Sequence, residues 1–454
     1  MSALDLEDLQ HFLLARTPAL AARYEFLSFP DAAKGRVWLS TMLEKVGTAH
    51  AVGEQRADAR WVTVAFTASG LAALGVDEAS LASFPAEFRE GVAARAKILG
   101  MTGTNAPEHW VGEVGSERLH AIVILFARDV AERERCKDEH RRFLDATGVV
   151  ALSSLDLEHV PPLEFAHEHF GYRDRLSQVA IEGFGDPPTP GSGAAVKAGE
   201  FFLGYPDEQG LMPELPKPEV LSRNGSFLAY LRMEEHVGRF RDFLKEHGGG
   251  TREGEELMAA KLMGRWRSGA PLVLAPEKDD PALGADMQKN NDFDYGKMDP
   301  HGYGCPLGAH VRRMNPRDTA ENMQRRRMVR RGGTYGPALP EGAPEDGIER
   351  GIASFIGCVS LVRQFEFAMN VWVNDPAFHE LGNERDPLIG TQDGTFDLTI
   401  PKRPIKKKIT GLPSFTTIRG GAYFFLPGLK ALRWLAAGAN ADAAAAHSEE
   451  PHHA

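Results

Sequence analysis

The stretch Leu119 to Phe126, LHAIVILF, is apolar at nearly every position, and it runs into VAERERCKDEHRRFLDATG, residues 130 to 148, which is dense in charge. The pair reads as a strand leading into a helix. The same unit recurs upstream. Arg23 to Phe29 (RYEFLSF) sets aromatic and branched residues in near alternation and is followed by the amphipathic WLSTMLEKV, while Arg60 to Phe66 (RWVTVAF) leads into SGLAALG. The segment from Asp186 to Leu215, with PPTPGSG and PDEQGLMPEL, is rich in Pro and Gly and breaks every period, which places the domain linkage near it. Beyond it the pattern restarts: NGSFLAYLR reads as a strand, and HVGRFRDFLKEHGG as an amphipathic helix ended by glycines.

Strands so closely spaced leave no room for doubly wound crossovers, so the fold class is α+β, with two related halves. A chain of 454 residues is long enough for two domains of about 200 residues each. The expected division is 1–200, 201–437 and a tail, 438–454, whose AGANADAAAAHSEEPHHA has too little to bury.

Hydrophobic content of 43% and charged content of 25% are the balance of a soluble globular protein. No apolar run approaches the roughly 20 residues of a spanning helix. The acidic opening MSALDLEDLQ has no basic or apolar leader, so the chain reads as cytoplasmic. A net charge of −11 argues against nucleic acid or an anionic membrane as partner. The basic runs RRRMVRR (325–331) and KRPIKKK (402–408) therefore need local explanations. Cys136, Cys305 and Cys358 are too few and too scattered for a disulfide framework or a zinc site, and no CxxCH occurs.

Ligand and charge concentrate in CPLGAHVRRMNPRDTAENMQRRRMVRRGGTYGP, residues 305 to 337. A lone histidine in a helical segment is ordinarily a partly buried side chain. Here Arg312, Arg313 and Arg317 follow His310 within two helical turns. An axial imidazole, cations for two propionates and an apolar wall suffice to seat a haem. Cys305 is the rival axial ligand, though a small buried apolar role suits it better. Pro306 marks a turn into the segment carrying His310. The second informative stretch is EHFGYRDRLSQVAIEGFG, residues 168 to 185, where Asp174 alone would be read as a turn or cap residue. His167 and His169 have no carboxylate or thiolate set beside them and are read as structural or channel-lining.

Together these stretches resemble the dye-decolorising haem peroxidases. The resemblance spans nearly the whole chain, about residues 8 to 437. HFGYRDRLSQ stands where that family has its GxxDG motif, CPLGAHVRRMNPR surrounds the proximal histidine, and MVRRGGTYGP surrounds the distal arginine. ASFPAEFREGVAARAKILG, APEHW, GRWRSGAPL, NNDFDY, VRQFEF, DPLIGTQDGTFDLTIPK and TIRGGAYFFLPGL add support.

The resemblance implies two ferredoxin-like domains with antiparallel sheets and one non-covalent haem b seated mainly in the second. It implies His310 as iron ligand, Asp174 as distal acid, Arg330 as distal arginine and Arg317 as partner of a haem propionate. The implied activity is oxidation of dyes, phenols or other one-electron donors by hydrogen peroxide through a ferryl intermediate. The implied partners are peroxide and a small aromatic or dye-like reductant, and a homo-oligomer is left open. The other nitrogen of His310 needs an acceptor, and the acidic candidates are Asp393 and Asp397 in GTQDGTFD, Asp393 first. GTQDG itself matches GxxDG, but it follows His310 in the chain and reads as a turn.

One position departs from the family pattern. Where the motif ends in Gly, this chain has Arg175. If the position needs positive φ, a non-glycine residue costs about 1 kcal/mol there. If it lines the peroxide channel, it adds bulk and charge beside Asp174. The alternative function is accordingly a haem-binding protein with weak or altered turnover. Tyr335 and Trp372 are oxidisable, yet packing is the simpler role for both.

Overall fold

LHAIVILF is apolar on both faces because both faces are buried. In the computed structural model, which describes residues 4–14, 21–50, 61–158, 166–185 and 188–439, it forms most of strand β3, Ala121–Ala127. Ile122 and Ile124 point into one cluster with Tyr24, Phe26, Tyr230, Phe355 and Phe424, which is the interior of a closed barrel. Ala121, Val123 and Leu125 point the other way, into a cluster with Trp38, Leu39 and Leu144 on the covering helices. A period of two places alternate residues on opposite faces, so a strand covered on both sides loses its polar alternation.

The elements repeat in order. In the first half β1 (Ala21–Ser28) leads to helix α1 (Ala32–Leu43), β2 (Trp61–Phe66), β3, helix α2 (Val130–Thr147) and β4 (Val150–Glu158). In the second, β5 (Ser226–Glu235) leads to α3 (Val237–His247), β6 (Val329–Tyr335) and β7 (Gly351–Cys358). A π-wound helical segment follows (Val362–Glu366 and Ala368–Val373), and β10 (Thr416–Leu426) closes the half. A hairpin of β8 (Leu398–Ile400) and β9 (Lys407–Ile409) stands apart. The barrel order β1-β3-β2-β10-β5-β7-β6-β4 divides into β4-β1-β3-β2 and β6-β7-β5-β10. Each is the ferredoxin-like order of a βαββαβ unit, and every pairing is antiparallel. Two single register points join the halves, Phe66 to Phe425 and Leu157 to Tyr335.

Local signals agree with this topology. Asp129 caps α2 by accepting the Glu132 N–H at 2.8 Å, and Gly148 ends it at φ +72°, where a side chain would be strained. The Pro/Gly-rich segment is not loose in its described part, since Phe201 and Phe202 are buried in the barrel cluster and the Glu200 carboxylate holds Arg363 at 2.5 Å. Of the expected tail, residues 440–454 lie outside the described residues. Among the described residues no helix is long and apolar enough to cross a membrane.

Candidate active site

The rim of the second half-barrel, the loop at 166–178 and the segment around residue 310 enclose one cavity of about 480 Å³. His310, Asp174, Arg330 and Arg317 all line it, so four of the five site residues expected from the sequence converge. Its apolar wall is built from Met314, Ile352, Phe365, Met369, Leu388 and Ile389.

His310 opens a short helix, α4 (His310–Met314), entered through a turn in which the Ala309 N–H donates to the Pro306 carbonyl. Its Nδ1 lies 2.9 Å from Asp386 Oδ2. Asp386 is fully buried, and its Oδ1 accepts the N–H groups of Leu388 and Ile389 at 3.0 Å each. Burial opposes its charge, but His310 and these hydrogen bonds outweigh burial and hold the carboxyl below the usual carboxylate range. An ionised carboxylate only accepts, so Nδ1 carries the proton and Nε2 is left as the lone-pair nitrogen. The partner of His310 is therefore Asp386 and not Asp393. Asp393 is exposed and caps its own turn, accepting the Thr395 N–H at 3.0 Å, so GTQDG is a turn as read. Asp397 pairs with Lys408 at 2.7 Å. Asp386 opens the string DPLIGTQDG, but nothing in its local pattern points to His310, 76 residues away.

Asp174 ends a small hairpin. His167 bridges Arg173, and the Asp174 N–H donates to the Ala166 carbonyl at 2.7 Å. The Arg175 N–H donates to Asp174 Oδ1 at 2.6 Å, and Asp174 lines the cavity. Arg175 adopts φ +64°, so the position does need the left-handed conformation that glycine accepts most easily. It also lines the cavity. Changing Arg175→Gly is expected to leave folding stability within about 1 kcal/mol of the parent, because relief of the strain is offset by the greater unfolded-state freedom of glycine. Thermal or urea unfolding of the variant checks this.

Arg330 projects from β6, with its Nη2 donating to the Ser177 carbonyl at 2.7 Å. The Arg317 guanidinium lies over the Phe293 ring at 3.7 Å, and its Nη1 donates to the carbonyls of Gly191, Asn291 and Phe293. Much of its donor capacity is thus spent on the protein. Arg327 is a residue that reading the basic run did not single out. It lines the cavity, and no carboxylate pairs with its guanidinium among the described residues. Burial and then the like charges of Arg330 and Arg317 push it down to about 10. A cluster of this kind calls for an anion.

The other candidates separate cleanly. Cys305 is fully buried and does not line the cavity, and burial pushes its thiol up to about 12, which suits the small buried apolar role. His167 lines the cavity, while the buried His169 donates from Nε2 to the Tyr335 carbonyl at 2.9 Å. Tyr335 is buried with its hydroxyl on Glu349, and Trp372 is a buried part of the cavity wall.

No family model matches the chain. It is, however, 30% identical over 467 residues to a dye-decolorizing peroxidase of Mycetinis scorodonius, with 95% of this chain and 88% of that protein covered. The chain belongs to the dye-decolorizing peroxidase family. Solved members of the family share its fold. A DyP-type peroxidase of Auricularia auricula-judae superposes with a TM-score of 0.85 at 26% identity, covering 96% of this chain and all of that one. A dye-decolorizing peroxidase in complex with 2,6-dimethoxyphenol superposes at 0.84 with 27% identity, covering 95% of this chain and 100% of that one. This dye-decolorizing peroxidase is accordingly a haem-dependent oxidoreductase that oxidises dyes with peroxide.

The cavity fits that cofactor on its own chemistry. It offers an imidazole fixed by a buried carboxylate, a buried guanidinium without an anionic partner among the described residues, and apolar side chains for the faces of a flat ring.

Proposed function

We propose that this peroxidase holds one non-covalent haem b between the segment of His310 and the 166–178 loop, and uses Asp174 and Arg330 to cleave hydrogen peroxide. The observation that carries the reading is the His310–Asp386 pair opening onto the same cavity as Asp174 and Arg330. When bound, haem supplies the iron that takes the peroxide and the oxidising power passed on to donors one electron at a time. His310 would hold the iron through Nε2, with Asp386 fixing the ring and raising its basicity. Arg327 and the remaining donors of Arg317 would hold the propionates. None of the three cysteines lines the cavity, which supports non-covalent attachment.

Asp174 Oδ2 would take a proton from one peroxide oxygen and return it to the departing one, while Oδ1 stays on the Arg175 N–H. Arg330, aimed by its bond to the Ser177 carbonyl, meets the negative charge that builds on the departing oxygen. The balance is one peroxide and two donor hydrogens converted to two waters and two donor radicals. A related dye-decolorizing peroxidase has been solved in complex with 2,6-dimethoxyphenol, which supports a small phenol or dye-like aromatic as donor.

Asp386→Asn is expected to weaken haem retention or turnover by about 10- to 100-fold, because an amide no longer fixes the imidazole by a charged hydrogen bond. Haem titration of the apoprotein measures this, and extraction of intact haem by acidified solvent tests the absence of a covalent link. An Asp386→Asn protein indistinguishable from the parent in both affinity and turnover would remove the pair from the mechanism.

A further inference from the structure

Behind the distal loop lie two carboxyl groups that the chemistry above does not use. Glu168 in the hairpin and Glu235 at the end of β5 are both buried, both reach the cavity lining, and are both held by backbone N–H groups of the same hairpin. Ionised carboxylates have only acceptors, so a bond between these two would require a proton. The neighbouring donors say where it would sit. Glu168 accepts the N–H groups of Phe170 at 2.8 Å and Tyr172 at 2.6 Å through separate oxygens, the pattern of the charged partner. Glu235 accepts one, the His169 N–H at 3.2 Å, and is the partner that would carry the proton.

These bonds fasten the hairpin from within. Glu168 closes the turn at Gly171, and Glu235 ties the loop to the barrel strand, only a few residues from the bond that sets Asp174 against Ala166. We infer that Glu168 and Glu235 form a proton-sharing pair that positions the Asp174 loop, and that loss of the shared proton at rising pH loosens the loop and slows peroxide cleavage. The inference rests on Asp174 as the acid only for its kinetic consequence.

The surroundings leave the pair dependent on its proton. Arg267 faces Glu168 from a turn, but its guanidinium already bonds Glu256 and the Phe170 carbonyl. Arg350 gives its carbonyl to the Glu235 N–H, and its guanidinium is taken by Glu345 and Asp346. His169 and His236 are held neutral by burial, each lowered to about 4, and Asp174 adds a further negative charge. Tyr172 places its hydroxyl on the Ala259 carbonyl, turned from the pair. Burial raises both carboxyls above the usual range; the charge of Glu168 then raises Glu235 further, while the Phe170 and Tyr172 N–H groups pull Glu168 back part of the way. The folded state therefore binds this proton more tightly than the unfolded chain. Its contribution is present below the ordinary glutamate range and is lost as pH rises through the raised titration.

Infrared spectroscopy and Glu235→Gln test the inference together. Glutamine keeps an N–H for Glu168 and a carbonyl for His169, yet holds no titratable proton. The parent, with or without haem, is expected to show a buried protonated-carboxyl stretch at neutral pH that shifts in heavy water. That band is expected to vanish in Glu235→Gln and to persist in Asp174→Asn. In stopped-flow peroxide reactions of the loaded proteins, the alkaline fall in rate is expected to move by about one pH unit or more in Glu235→Gln. A parent without the band, or a folded Glu235→Gln with the band and pH profile of the parent, overturns the inference. Should Glu235→Gln fail to fold, the parent spectrum alone decides whether the proton is there. Failure of Asp174→Asn to slow peroxide would count against the acid assignment and leave the band untouched.

Discussion

Asp174→Asn is expected to retain haem and to consume peroxide about 10²- to 10⁴-fold more slowly, the range that loss of a positioned acid–base group produces. The substitution is close to isosteric. Asparagine Oδ1 still accepts the Arg175 N–H that holds the side chain at 2.6 Å, and the backbone bond to Ala166 does not involve the side chain. What is lost is the other carboxylate oxygen, which can gain a proton and give it up again, as an amide cannot. Stopped-flow mixing with peroxide separates this step from donor oxidation. Full haem loading with a rate within tenfold of the parent would show that another group moves the proton. The same experiment on Arg175→Gly addresses the departure from the family pattern. A rise in peroxide rate there would assign Arg175 a restraining role at the cavity, and an unchanged rate would leave only its strained backbone.

Arg330→Leu is expected to lower the same rate about 10²- to 10³-fold, or roughly 3 to 4 kcal/mol of transition-state stabilisation. Leucine keeps bulk on β6 and removes the charge aimed at the departing oxygen. The bond to the Ser177 carbonyl goes as well, but Arg330 is exposed, so water replaces that donor at small cost to folding. Arg330→Lys is the informative companion, because it keeps a charge without the planar fork and should recover only part of the loss. Equal rates in parent and leucine variant, at matched haem content, would detach Arg330 from the reaction.

The strands legible in the sequence are those whose environment is uniform along their length. LHAIVILF and the FLAYL of NGSFLAYLR have lost polar alternation because the barrel interior and the covering helices bury both faces. The repeated βαββαβ order follows from such stretches and from the breaks between them. Pairings across the chain are another matter. Asp386 reaches His310 over 76 residues, and no period carries that contact, so an aspartate in a conspicuous motif-like turn drew the assignment instead. Arg327 was hidden in a run of arginines, and only the fold shows that it is buried at the cavity beside Arg330 and Arg317. Glu168 and Glu235 sit in unrelated stretches and become a pair only when β5 passes behind the hairpin. Arg175 was legible as a condition, and its φ of +64° satisfies it.

The account stands on His310 binding iron through Nε2 while Asp386 holds Nδ1. Resonance Raman spectroscopy of the ferrous, haem-loaded protein measures that bond directly. An iron–histidine stretch is expected in the parent, at lower frequency in Asp386→Asn because the amide withdraws the charge that strengthens the imidazole, and absent from His310→Ala. A parent without the stretch, or a stretch surviving in His310→Ala, would contradict the account.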